Sequence, residues 1–403
     1  MMDSIYTATS GLQSFSKGLD VVSSNVTNVN TVGYKATTLQ YNDIHYSFSM
    51  RDERQGVIYA SQVGGGVAAG VTSMLFTQGD TRQTGNDLDV AINGRGFFVI
   101  EGKDGWVYSR DGEFEFNDKG DLVTRDGGDR VMALVDGKLQ PLNRNDYLVQ
   151  KPAATTEVAF SGTLPPGTST ASVTTSNVPV YDSLGKLHNL TLTFNQDSTD
   201  PTARAWLVTV TDENGAAVGT SGVLRFQVNG SPDVGANAFT FTFAPTGAES
   251  QQVTLKFGDP NSYSGVTAFS GTANVTVGTH DGRPEGTMLS ASFDDQGRLT
   301  VRYSNQQTAT GPQLALADFQ DLQALQQLGN GLFRPQKEQR VLLGAAGKDG
   351  LGSLMAGNVE SSNVDLSTQF SDMIIIQRGY QASSQVLTTA NEMLQQLLEM
   401  NHQ

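Results

Sequence analysis

The chain has 403 residues, with 26 Lys and Arg against 41 Asp and Glu, a formal net charge of −15. That balance argues against a nucleic-acid backbone or an anionic membrane surface as partner, because both would repel it. The absence of cysteine excludes disulfides, zinc–thiolate and iron–sulfur sites and a cysteine nucleophile.

From Ile5 the small or apolar positions Ile5, Ala8, Leu12, Phe15, Leu19, Val22, Val26 and Val29 recur at alternating steps of three and four. That spacing predicts an amphipathic helix with a heptad seam. Between Met1 and Val29 the only charged residues are Asp3, Lys17 and Asp20; the off-seam faces carry Ser, Thr, Asn, Gln and Gly. A solvated helix normally shows Glu and Lys outward. An uncharged polar face suits packing against other protein, either a hairpin closing an ordinary domain or copies of the same chain. Gly11 and Gly18 each weaken an isolated helix by about 1 kcal/mol relative to Ala. The terminal helices are therefore expected to fray in the monomer and fold on association.

Residues 31–70 show no clear period and end in Gly64-Gly65-Gly66. Recurring aromatics (Tyr34, Tyr41, Tyr46, Phe48, Tyr59) favour an extended arm that contacts something over an inert spacer. Residues 71–145 read as β, with Leu88 to Ile92, Phe97 to Ile100 and Val131 to Val135 as strands. Residues 146–284 form a second β region of Thr-rich alternating strands such as Leu190 to Phe194 and Phe239 to Phe243, of barrel or sandwich type. Residues 285–358 return to the first style, with Leu314 to Leu328 expected as helix. A second heptad seam closes the chain: Leu366, Met373, Ile376, Tyr380, Leu387, Ala390, Leu394 and Leu397. The fold class is thus α+β and multidomain. Segments 1–30 and 359–403 form a coiled-coil-like helical domain, 31–70 an arm, 71–145 with 285–358 a first β domain, and 146–284 a second β domain nested within it.

Asn117 to Leu122, Asp182 to Leu187 and Asp294 to Leu299 fit [Asn/Asp]-x-x-Gly-x-Leu, and Asp212 to Gly215 is a partial copy. Asp or Asn capping a type I turn, with Gly taking positive φ, makes these hairpin turns. The ligand set is too sparse for calcium loops. Asn93-Gly-Arg-Gly-Phe-Phe98 lacks the third Gly of a dinucleotide loop, and the triple Gly has no Lys-Ser/Thr partner and reads as a flexible joint. Asp87 and Asp89 share a strand face and read as solvated. Asp349 is a turn residue, and no Gly-x-Ser-x-Gly elbow is present. His45, His188, His280 and His402 have no metal-ligand spacing. No enzyme, cofactor or metal is predicted. The N-terminus shows no secretory signal pattern, and the longest apolar runs are too short to span a bilayer.

Three stretches resemble the flagellar axial family of rod and hook proteins. One is Ser23 to Lys35 after the first helix, with Ser24 and Thr27 departing from the family pattern. The second is Leu88 to Val99 with Tyr108 to Phe114. The third is Gly352 to Leu366 with Gln377-Arg-Gly-Tyr-Gln-Ala382 and Asn391-Glu-Met393, where Ser383 stands in place of the usual Asn. Length and the insertion 146–284 resemble the hook members. The resemblance implies an extracellular homopolymer, exported unfolded through the flagellum's type III export apparatus and assembled under a hook cap. Rod and hook–filament junction proteins would be its neighbours, and terminal helices would form its inner tube. It implies an assembly interface of Leu12, Phe15, Leu19, Val22, Leu387, Leu394 and Leu397, with Asn28, Gly33, Tyr34 and Tyr380 of the motifs, and an arm bracing neighbouring subunits. A distal rod-like or junction protein of the same axis, or a secreted β-rich adhesin or carbohydrate binder, are the alternative readings.

Overall fold

A computed structural model of the chain describes residues 2–44, 46–54, 57–167, 172–200, 202, 204–336 and 339–400, with backbone alone for Met2 and 46–63. His45 and His402 lie outside the described residues, as do the side chains of Tyr46, Phe48 and Tyr59. The chain divides into two compact units. The first comprises Met1–Asn145, Ala291–Val301 and Ala309–Gln403, and the second Asp146–Ser290 with Arg302–Thr308.

In the first unit the two heptad seams form helices, α1 (Met2–Thr27) and α2 (Leu366–Met400). Asp365 caps α2: its carboxylate accepts the Ser367 N–H and the Thr368 hydroxyl, both at 2.9 Å. Those bonds hold its carboxyl below the ordinary carboxylate value. The helices pair antiparallel, because Gly11 faces Ser383, Phe15 faces Gly379, Gly18 faces Ile376 and Asn25 faces Gln369. A Cβ at Gly379 would lie 2.6 Å from the Phe15 ring, and one at Gly11 2.8 Å from the Ser383 hydroxyl. Of the glycines that weaken an isolated α1, Gly11 is a notch that lets the helices close on each other, and Gly18 makes room chiefly for the Tyr41 hydroxyl and then for Ile376.

Within residues 31–70 the chain forms an extended β ribbon. Strand β1 (Thr37–Asp43) and β2 (Tyr46–Arg54) run out, and β3 (Val57–Gly64) and β4 (Val67–Met74) run back, paired β1 with β4 and β2 with β3. Bonds from Ile44 N to Gly66 O (2.9 Å) and Gly65 N to Ile44 O (3.2 Å) join the two pairs into one ribbon. In β1 the side chains from Gln40 to Asp43 are exposed. With no buried face there is no apolar alternation, which is why the sequence shows no strand period. The ribbon's base lies along α1 of its own chain: Ser14 Oγ donates to Val67 O at 3.1 Å, and the Tyr41 and Phe15 rings are 6.1 Å apart. Gly66, at φ 117°, sits against Ser10, so the triple Gly is a fitted crossover and not a loose joint.

Strand β5 (Thr81–Gln83) pairs with Asn358–Glu360, and β6 (Val90–Asn93) pairs with Ser353–Ala356. Strands β7 (Phe97–Gly102) and β8 (Gly105–Ser109) form a hairpin. Phe97, Tyr108, Phe319 and Phe333 pack edge to face inside it, with centroids 4.8–5.7 Å apart. The stretch expected as helix from Leu314 is instead strand Thr308–Phe319, followed by strand Leu325–Gly329. Leu and Ala favour helix locally. Here Leu314 to Ala317 are buried on both faces, with Leu316 registered against Phe98 and Ala133 against Leu314, and that central position overrides propensity.

The second unit is a sandwich and not a closed barrel. One sheet orders Ser172–Tyr181, Leu187–Gln196, Ala205–Thr211 and Gly222–Arg225, all antiparallel. The other contains Ala238–Phe243, Gln251–Lys256, Glu157–Thr163, Val266–Thr267 and Asn274–His280. Alternate residues of both enter one core holding Trp206, Phe194, Phe257 and Leu255. Their neighbours turn hydroxyls outward, as in the 2.9 Å contact between Thr240 and Thr254. The four turn motifs share one geometry. The side-chain oxygen of Asn117, Asp182, Asp212 or Asp294 accepts the N–H groups two and four residues on, at 2.8–2.9 Å. The glycines Gly120, Gly185, Gly215 and Gly297 have φ of 86, 82, 81 and 72°.

Candidate functional site

The first unit holds its two chain ends together through a buried polar clasp. After α1, Asn28 closes the helix locally, donating from Nδ2 to Ser24 O at 2.8 Å and accepting the Thr31 hydroxyl at 3.1 Å. Gly33 then turns the chain at φ 67°, and its N–H donates to Glu360 O at 2.7 Å. A Cβ there would lie 2.7 Å from the Asp111 backbone nitrogen, so only glycine fits. Tyr34 donates to Asn25 Oδ1 at 3.2 Å. Asn25, 1% exposed, also donates to Thr37 O and Gln369 Oε1 at 2.8 Å and accepts the Thr37 N–H at 2.9 Å. Asn363 answers from the other end, accepting the Ala36 N–H at 2.7 Å and donating to Leu75 O at 2.6 Å.

At the centre are three charges. Lys35 and Glu360, both wholly buried, pair at 2.5 Å; Arg110 reaches the second Glu360 oxygen at 3.2 Å. Lys35 also donates to Thr77 O, Arg110 to Gly94 O, and the Gly79 N–H to Glu360 Oε1, each at 2.9 Å. The Arg110 guanidinium lies 5.1 Å from the centre of the Phe97 ring. Burial lowers the pKa of Lys35 and of Arg110, opposed in each by the attraction of Glu360.

Beside the clasp is a cleft of about 700 Å³ lined by Asp20, Asn28, Tyr34, Asp111, Glu113 and Asp126 among others. Burial pushes the Asp111 carboxyl from 3.8 up to about 7, against the lowering effect of the Glu113 N–H that it accepts at 2.9 Å. Asp89 is not solvated. It is 1% exposed and pairs with Arg125 at 2.7 Å.

The expected interface residues fall into three groups. Val22 is buried, and Leu12, Phe15, Leu19, Leu387 and Leu394 are half-buried, Phe15 against Gly379 of α2. Gly33 and Tyr34 are held inside the clasp, and Asn28 at the α1 terminus. Tyr380 and Leu397 are 46% and 51% exposed. They are among several large apolar side chains left exposed around α2, with Phe370, Ile374, Ile375 and Leu398 at 50–66% exposure. Sequence reasoning missed Lys35, Arg110, Glu360, Asn25 and Asn363 as a set. The signal was a lone charge in each of two nearly uncharged segments.

Helices from both ends, clasped to a β body and leaving large apolar side chains of α2 exposed, define the class of architecture. Three family models of flagellar axial proteins match it: "Flagella basal body rod protein" over residues 5–35, "Flagellar hook protein FlgE/F/G D1 domain" over 91–173, and "Flagellar basal body rod FlgEFG protein C-terminal" over 355–400. The chain is 30% identical to flagellar hook protein FlgE of Escherichia coli K12, over 98% of each. It is 28% identical to that of Borreliella burgdorferi over the whole of both, and 28% to that of Salmonella typhimurium over 98% of each. The chain belongs to the flagellar hook protein FlgE family. A solved Helicobacter pylori flagellar hook protein, FlgE2, aligns with 70% of this chain and all of its own at TM-score 0.48 and 14% identity.

Proposed function

We propose that this chain is the structural subunit of a bacterial flagellar hook, an extracellular helical tube of many copies that bends while it transmits motor torque to the filament. Its end-to-end likeness to hook relatives carries the reading. The exposed apolar side chains of α2 support it, since Ile374, Ile375 and Leu398 are 59–66% exposed in the single chain. The paired helices make the stiff inner tube. Hydroxyl-rich strand faces of the second unit supply contacts that exchange at low cost as copies shorten and lengthen, because polar, water-bridged contacts are readily remade. In this role the rod and the hook–filament junction proteins are neighbours, the hook cap guides growth, and the type III export apparatus delivers the unfolded chain.

Electron microscopy of the purified protein tests this. Curved tubes are expected. Straight rigid tubes would favour a rod-like or junction subunit, and a soluble monomer that never assembles would refute the hook reading.

A further inference from the structure

We propose that the Lys35–Glu360–Arg110 triad is a latch that sets the register of the two chain ends and orders the base of the helix pair. The inference stands on the fold alone and not on the polymer. Lys35 and Arg110 come from the segment before and the body, Glu360 from the segment after, and all three side chains are 0–6% exposed. Glu360 is the one carboxylate that touches both cations among the described residues. Until it arrives, Lys35 and Arg110 cannot both be buried without an uncompensated charge, which is strongly unfavourable in a dry site.

An apolar seam alone tolerates sliding, because one aliphatic contact resembles the next a turn away. An ion triad does not. A slip of one residue at the Asn358–Glu360 strand would turn Glu360 to the opposite face. The hydrogen bonds around the triad extend the selection to both helices: Asn25 on α1 meets Gln369 on α2, and Asn363 meets Ala36. The latch thus transmits register from residues 35 and 360 into the first turns of the pair, where Gly18 meets Ile376. Toward the far end, where α1 begins at Met2, Tyr6 and Leu398 are 60% and 61% exposed, and Ala8 and Ala390 are the buried contacts that remain. A chain lacking residue 360 onward retains two unmatched cations and leaves the N-terminal segment unseated.

Native-state hydrogen exchange on the dilute full-length chain tests the latch. Amides at 22–27, 33–36, 359–360 and 369–372 are expected to open in one step, with the same free energy and denaturant dependence. Amides near Thr7 and Leu397 should exchange faster. Glu360→Gln should accelerate exchange at Val22 to Asn25 by about a hundred-fold or more, while Phe97 to Ile100 in β7 keep their protection. The proposal is overturned if the α1 base opens independently of residues 33–36 and 359–360 in the unmodified chain, or if Glu360→Gln loosens only 358–360. Should the variant not fold, the measurement on the unmodified chain decides by itself.

Discussion

Gly33 concentrates the demands of the clasp at one position. It needs a left-handed backbone and has no room for a methyl group against Asp111 N. Gly33→Ala should therefore destabilise the first unit by about 2 kcal/mol or more. Differential scanning calorimetry should show the transition of that unit falling, and an unchanged profile would contradict the fitted turn. Asp111 offers a second test. Its folded value of about 7 lies above the ordinary 3.8, so the folded chain holds the proton more tightly than the unfolded one. The associated stabilisation is complete below about pH 4 and is lost as pH rises toward 7. Asp111→Asn stays neutral and keeps a side-chain acceptor. It should match the unmodified chain near pH 4 and be the more stable of the two at pH 8, in melting curves of both proteins across that range. Residue-scale features of this kind differ in legibility. The four Asn/Asp-x-x-Gly turns could be read from sequence because donor, acceptor and glycine lie within five residues. The clasp could not, because Lys35 and Glu360 meet across nearly the whole chain and each alone resembles an ordinary surface charge.

Among elements, the helices were legible and the packing role of their glycines was not. A heptad seam declares its own period, whereas the value of Gly11, Gly18 and Gly379 depends on what faces them. Strand β1 left no periodic trace because it has no buried face to alternate with its exposed one. Strand Thr308–Phe319 was hidden for the opposite reason: burial on both faces erased the alternation that marks a strand. The helix pair is where assembly should be most sensitive. Phe15 fits the notch at Gly379 and touches Tyr41. Phe15→Asp would place a charge there and force the helices apart. It should abolish tube formation, seen by electron microscopy, while the β-sheet circular dichroism signal persists. Normal tubes from this variant would rule out the pair as the assembly element.

For the whole molecule, the second unit is the part whose role rests least on local geometry. It has its own core around Trp206 and Phe257, so its removal should leave the first unit's aromatic core intact. Replacing Asp146–Ser290 with a short Gly-Ser linker is expected to permit export and assembly but to change tube curvature, measured on isolated hooks. Unaltered curvature and swimming would deny the unit a mechanical part.

The pairings that define this molecule also set a timetable. Phe98 waits for Leu316, Val158 for Leu255, and Lys35 for Glu360, so hairpins can form early but the central pairings of both units cannot be finished from neighbouring residues. Chains dominated by such remote partners fold slowly. On the export role proposed above, a newly delivered subunit would pass through an interval with open strand edges, when it is most prone to aggregate or drift away. Growth at the tip would then be limited by how long that unfinished chain can be retained and shielded, and not by how fast finished subunits dock.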